Sequence, residues 1–223
     1  MSKRIVDLTM LIHEGMQTFP SAWHPFVEVT QLGRHGIENR ETRKLVLGTH
    51  TGTHLDAPRH FIPDGYTVEH ISLEQINGSC ILLDFSDVPP KTGLTAEDVK
   101  KKANGRSVQR VLFRFDWCHM LGKFEYYTDQ PFLEEDAAQW LVDNGCKMIG
   151  LDVAMPDNPK NGKGSENDSP NHRIFLGNEV IIVEYLVNLR DITTERFDIV
   201  VAPLKIKDGD GAPCRCFAIL GDK

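Results

Sequence analysis

At 223 residues, with 40% hydrophobic and 26% charged side chains, the chain has the composition of an ordinary soluble globular protein able to bury a sizeable core. Its 25 basic and 32 acidic residues give a net charge of −7, and no basic run is longer than Lys100-Lys101-Lys102, which argues against nucleic acid as a partner. No apolar stretch reaches membrane-spanning length, Met1-Ser2-Lys3-Arg4 leads into Ile5 without a signal-peptide core, and the five cysteines are odd in number and irregularly spaced. The expectation is a cytoplasmic protein with free thiols and no membrane partner.

In chain order, strands are predicted over Ile5 to Thr9, Val27 to Thr30, Thr42 to Gly48, Cys80 to Phe85, Val111 to Phe115, Met148 to Asp152, Val180 to Glu184, Phe197 to Pro203 and Cys214 to Leu220. One helix is predicted from Thr95 to about Lys102, opened by a capping-box pattern and closed by cations that suit the negative end of its dipole. A second runs from Leu133 to Val142, acidic in its first turn and stopped by Asn144-Gly145. Met155 to Asp168, rich in proline, glycine and polar residues, reads as a long loop that can serve as a flap. In Cys214-Arg215-Cys216 the alternation places both cysteines on one buried face; the spacing is not that of a zinc site. Strands with interspersed helices, and no linker or repeat, indicate a single mixed α/β domain over residues 1–223.

The chemistry concentrates in His50-Thr51-Gly52-Thr53-His54-Leu55-Asp56-Ala57-Pro58-Arg59-His60, three imidazoles and one carboxylate in eleven residues. Imidazole and carboxylate ligands without cysteine suit Zn²⁺ or Mn²⁺ in an open site, where a bound water is acidified towards a pKa of roughly 7. His50 and His54 have the spacing of helical zinc motifs, but Gly52 and Pro58 oppose a helix. A glycine-kinked loop, delivered by the strand at Thr42 to Leu47, is expected instead. Glu184 interrupts the apolar run Val180 to Val187, and a carboxylate buried there needs a cation, a salt bridge or a set of donors.

The eleven-residue string resembles the His-x-Gly-Thr-His-x-Asp-x-Pro-x-His signature of the metal-dependent cyclase family, which includes bacterial kynurenine formamidases and isatin hydrolases, and it agrees at every fixed position. Ile5-Val6-Asp7-Leu8-Thr9 resembles the family's opening strand. Pro203-Leu204-Lys205-Ile206 and Asp210-Gly211-Ala212-Pro213 resemble its C-terminal strand and loop. The resemblance implies a partly barrel-like mixed sheet flanked by helices, assembled as a homodimer or homotetramer. It also implies that His50, His54 and Asp56 bind a first ion and that His172 and Glu184, with Asp56 as a bridge, bind a second, the ions being Zn²⁺ or Mn²⁺. His60 is then the catalytic proton carrier, with a structural supporting role as its alternative. The chain departs from the family at Phe19-Pro20-Ser21-Ala22-Trp23-His24, where members often carry an aromatic-Pro-Gly-Asp turn. Phe19 and Trp23 are candidates to contact a flat substrate, against plain packing or a subunit contact.

The function so implied is hydrolysis of a small aryl formamide or cyclic amide, such as N-formylkynurenine or an isatin-like lactam. Two alternatives stay open: a metal-dependent cyclase or lyase acting on a small carbonyl compound, and a non-catalytic protein that binds metal or a small ligand.

Overall fold

The computed structural model describes residues 3–221. Its strands are β1 (Arg4–Asp7), β2 (Glu28–Gly33), β3 (Thr42–Val46), β4 (His54–Asp56), β5 (Gly78–Asp84), β6 (Gly93–Leu94), β7 (Arg110–Arg114), β8 (Phe132–Leu133), β9 (Met148–Leu151), β10 (Ile181–Glu184), β11 (Arg196–Pro203) and β12 (Gly211–Leu220). The helices are α1 (Leu73–Ile76), α2 (Ala96–Ala103), α3 (Glu125–Thr128), α4 (Glu135–Asp143) and α5 (Pro170–Gly177).

Eight strands form one sheet in the order β1-β12-β11-β5-β7-β9-β10-β4, and β4 pairs again with β12. Seven strands therefore close on themselves, with β1 lying beside the far end of β12. The run β5-β7-β9-β10 is parallel and its crossovers carry α2, α4 and α5, while every other pairing in this sheet is antiparallel. This is the expected mixed, partly barrel-like α/β architecture.

Side chains alternate between two cores. Cys80, Leu112, Met148, Ile181, Val183 and Leu55 join the cluster inside the barrel, whereas Ile81, Val111, Phe113, Ile149 and Ile182 join the one under the helices. The parallel strands are covered on both faces, which is why they read as continuous apolar runs. Gly150 leaves room for leucines inside the barrel, since a Cβ there would lie 2.5 Å from Leu112 Cδ2 and 2.9 Å from Leu186 Cδ1 and make them shift. Cys214 and Cys216 are buried inward and Arg215 faces out, as the alternation predicts.

All nine predicted strands are present. Helix α2 has its capping box, with Thr95 Oγ1 accepting from the Asp98 N–H (3.3 Å) and Asp98 Oδ2 accepting from the Thr95 N–H (2.9 Å). Two expectations need correction. The helix predicted from Leu133 begins at Glu135, because Phe132–Leu133 pairs with Gly93–Leu94 as a short parallel ribbon. Thr42–Val46 is the expected strand leading into the histidine motif, although it pairs only with β2, in an exposed hairpin outside the main sheet. The motif is a loop only as far as Thr53, because His54–Asp56 is itself a strand of the barrel. Among the described residues no helix is long and apolar enough to cross a membrane.

Candidate metal centre

The turn that opens the motif is held by its own polar groups. The Gly48 N–H donates to Thr51 Oγ1 (2.9 Å), while Thr53 Oγ1 accepts from the Met10 N–H (2.9 Å) and donates to the Tyr185 carbonyl (2.7 Å). Between the two threonines Gly52 has φ +61°, a left-handed conformation in which a side chain is strained. The chain then enters β4, where neighbours on both edges, β10 and β12, take up its backbone groups. Leu55 packs inside the barrel, so His54 and Asp56 project from the opposite face. The register sets His54 against Glu184 and Asp56 against Ile182, which brings Glu184 onto that same face.

The donor atoms of these side chains converge. His54 Nε2 lies 3.4 Å from Asp56 Oδ1 and 3.5 Å from Glu184 Oε2; His172 Nε2 lies 3.4 Å from Asp56 Oδ2 and 3.3 Å from Glu184 Oε1. His50 Nδ1 stands 2.7 Å from Asp56 Oδ1 without the alignment of a hydrogen bond. Atoms of His54, Asp56 and Glu184 lie within 4.8 Å of one another, as do atoms of His50, Asp56 and His60. Ligands held about 2.0–2.1 Å from one tetrahedral zinc ion stand roughly 3.3–3.4 Å apart, so the spacing is that of a coordination polyhedron.

His54 Nε2, both Asp56 oxygens and Glu184 Oε1 are buried and have no hydrogen-bond partner, an arrangement that costs about 1–3 kcal/mol per group unless something satisfies it. The tautomers agree with a cation. His54 Nδ1 donates to the Gly52 carbonyl (2.8 Å), which leaves its Nε2 lone pair facing the carboxylates. His172 Nδ1 donates to Asp157 Oδ2, which leaves Nε2 facing the same group. Asp157 also accepts the backbone N–H groups of Asn171 and His172 at the start of α5, and so fixes the helix and the ring together.

The buried charged groups of the site act strongly on one another. Burial and then the Asp56 charge push Glu184 above the usual carboxylate range. Asp56 is held well below that range despite its burial, chiefly by His50. Burial opposes protonation of His50 and of His172, but their carboxylate neighbours prevail: His50 rises to about 10 and His172 well above its usual value. Two buried imidazolium rings are one way to neutralise two buried carboxylates. A divalent ion among the same atoms is another, and it uses the lone pairs that the Gly52 carbonyl and the Asp157 carboxylate aim there.

The cluster forms the floor of a cavity of about 290 Å³, whose wall includes Phe19, Trp23, Phe61 and Tyr185. Met155, Gly162, Lys163 and Asp168 of the predicted flap line it as well, and the Lys163 ammonium rests 4.2 Å from the centre of the Trp23 ring. His24 also lines the cavity, packed edge-on against His50 at 5.9 Å, and burial followed by the His50 charge pushes its pKa down to about 4.

With this geometry established, the comparisons agree on one family. The family model described as "Putative cyclase" matches residues 6–158, the motif included. The chain belongs to this cyclase family. It is similar to "Cyclase-like protein 3" of Oryza sativa subsp. japonica, 32% identical over 97% of this chain and 80% of that protein. It is also similar to a kynurenine formamidase of Erythrobacter litoralis, 30% identical over 96% of this chain and 92% of that protein. Among solved structures, an isatin hydrolase bound to the product analogue thioisatinate superposes with a TM-score of 0.89 at 24% identity, over 99% and 93% of the two chains. A structure described as a potential metal-dependent hydrolase with cyclase activity superposes at 0.79 with 28% identity over the whole of both chains.

The cyclase fold thus collects every candidate named from sequence: His50, His54, Asp56, His60, His172 and Glu184 at the floor, Phe19 and Trp23 on the wall. Sequence reasoning missed the helix under His172, although Ser169-Pro170 is a common way to begin one. It also assigned no role to His24, Asp157 or Asp210. Asp157 lies within the flap and Asp210 within a quoted motif, but no local spacing ties either to its histidine.

Proposed function

We propose that this cyclase-family member is a metal-dependent amidohydrolase that cleaves a small aryl formamide or cyclic amide. The observation that carries the reading is the set of buried, unpartnered donor atoms on His54, Asp56 and Glu184 at the floor of an aromatic-walled cavity. His50, His54 and Asp56 would hold the first ion; His172 and Glu184, with Asp56 bridging, would hold the second. Zn²⁺ fits these ligands and their spacing, with Mn²⁺ next. Bound there, divalent ions supply Lewis acidity, which polarises an amide carbonyl and lowers the pKa of water.

The chain's own groups do the rest. His60 is displayed at the end of a short 3₁₀ turn, Pro58–His60, whose proline restricts the approach. Burial lowers its pKa, so at neutral pH the ring is uncharged and can take a proton from the attacking water and deliver it to the leaving nitrogen. Phe19, Trp23 and Phe61 present aromatic surface that suits a flat substrate and excludes water around it. The kynurenine formamidase and isatin hydrolase relatives support this substrate class. The reading includes a homodimer or homotetramer, supported by exposed Phe26, Leu32 and Leu45 on and beside the β2–β3 hairpin, and a cytoplasmic setting, supported by five free cysteines.

The test is turnover by the metal-reconstituted protein of N-formylkynurenine, isatin and formanilide. Hydrolysis of at least one, abolished by chelation and restored by metal, is expected. No turnover of any of the three by protein that holds its metal would overturn the reading.

A further inference from the structure

Asp210 stands outside the ion-binding cluster, yet one of its oxygens reaches two of the motif's rings. Oδ2 lies 2.9 Å from His50 Nε2 and 3.2 Å from His60 Nδ1, and the two rings pack at 4.0 Å between centroids. We infer that Asp210 is a positioning residue that sets the tautomer of both rings, making His60 present Nε2 to the cavity and His50 present Nδ1 to the cluster. The assignment rests on the reading of His60 as the proton carrier.

The chemistry follows from the acceptor. An ionised carboxylate has no proton to give, so each ring nitrogen facing it carries the hydrogen. A neutral imidazole has a single N–H, and its lone pair is then forced to the other nitrogen. For His50 that nitrogen is Nδ1, 2.7 Å from Asp56 Oδ1, where a lone pair has use only as a ligand. For His60 it is Nε2, the only ring atom left to take a proton from water. Oδ2 faces a ring nitrogen of each histidine, so the one oxygen accepts from His50 and His60 together.

The backbone fixes the device in place. The Asp210 carbonyl accepts the Ala57 N–H (2.9 Å) and the neighbouring Gly209 carbonyl accepts the Val68 N–H (2.9 Å), which ties this loop to both flanks of the segment that carries His60. A residue 150 positions away in sequence is thereby held at hydrogen-bonding distance from the ring it orients.

The test is nitrogen NMR of isotope-labelled histidine in the zinc-reconstituted protein, with zinc affinity and steady-state kinetics on the same samples. The wild type should show His60 protonated at Nδ1. Asp210→Ala should move it to the Nε2–H form that unconstrained histidine favours, lower kcat by about 10²- to 10⁴-fold with little change in KM, and weaken zinc binding by about 10- to 100-fold. Asp210→Asn offers an amide oxygen in the place of Oδ2, so it should keep the wild-type tautomers and recover most of the turnover. Circular dichroism establishes that the variants fold; if the alanine variant does not, the asparagine variant decides alone. Retention of the Nδ1–H form in Asp210→Ala, reversed tautomers in Asp210→Asn, or equal damage from the two substitutions would overturn the inference. The NMR readout needs no substrate, so it stands or falls separately from the proposed amide hydrolysis.

Discussion

The imidazole of His50 rests on the bare α-carbon of Gly211: a Cβ there would lie 2.7 Å from His50 Cε1 and 2.9 Å from the Leu55 carbonyl oxygen. The carbonyl belongs to β4 and is bound into the sheet, so the ring is the part able to move. Gly211→Ala is expected to displace His50, weaken binding of the first ion and cost about 1–3 kcal/mol, the usual range for overpacking. Isothermal titration with zinc and a thermal melt check both. Unchanged zinc affinity would show that the ring does not need this seat.

Metal stoichiometry separates the two halves of the cluster. Glu184 faces His172 and His54, whereas His50 touches only Asp56 among the cluster's carboxylates. Glu184→Gln should therefore lose the second ion and keep the first, and His54→Ala should lose most of the metal. Elemental analysis after reconstitution and dialysis reads both outcomes. Chelation should also lower the melting temperature, since a ligand at a hundredfold excess over its Kd stabilises the folded state by about 2.7 kcal/mol.

His60→Ala tests the proton carrier. His60 is aimed by the Pro58–His60 turn and its ring bonds Asp210, outside the carboxylates of the cluster, so its loss should spare metal and fold. Turnover of any substrate found should fall by roughly 10²- to 10⁴-fold. Wild-type turnover with full metal content would remove His60 from the chemistry.

What could be read from the sequence and what could not divide along physical lines. Strands such as Val111 to Phe115 announce themselves because both faces are buried, and apolar character is local information. His54–Asp56 escaped because two of its three residues are polar and it is a strand only through partners at Ile182–Glu184 and Gly211–Pro213. Thr42–Val46 was legible as a strand but not as an exposed arm, since alternation does not say which sheet a strand joins. In the site, His50, His54, Asp56 and His60 share one short stretch and their spacing carries them. Glu184 stands out as a carboxylate in an apolar run, but its partnership with His172 needed the family resemblance. Asp157 and Asp210 act on rings 15 and 150 residues away, and only the closed sheet and helix α5 bring them there.

The last prediction concerns a carboxyl outside the metal centre. Asp152, directly after β9, is fully buried and accepts the Phe115 N–H at 2.9 Å; burial pushes its pKa up to about 7. An unfolded aspartate ionises near pH 3.9. Between roughly pH 4 and 7 the unfolded chain gives up this proton while the folded one keeps it, so the unfolded state binds fewer protons and stability falls as pH rises. Asp152's contribution is thus fully present below about pH 4 and is lost by pH 7, a change on the order of a few kcal/mol at most. Asp152→Asn keeps an oxygen for the Phe115 N–H and cannot ionise, so the difference in unfolding free energy between variant and wild type should shift in the variant's favour across that window. Urea denaturation at pH 4.5, 6 and 7.5, run on metal-free protein so that ion binding does not contribute, measures it. A constant difference at the three pH values would mean that Asp152 is ionised in the folded protein.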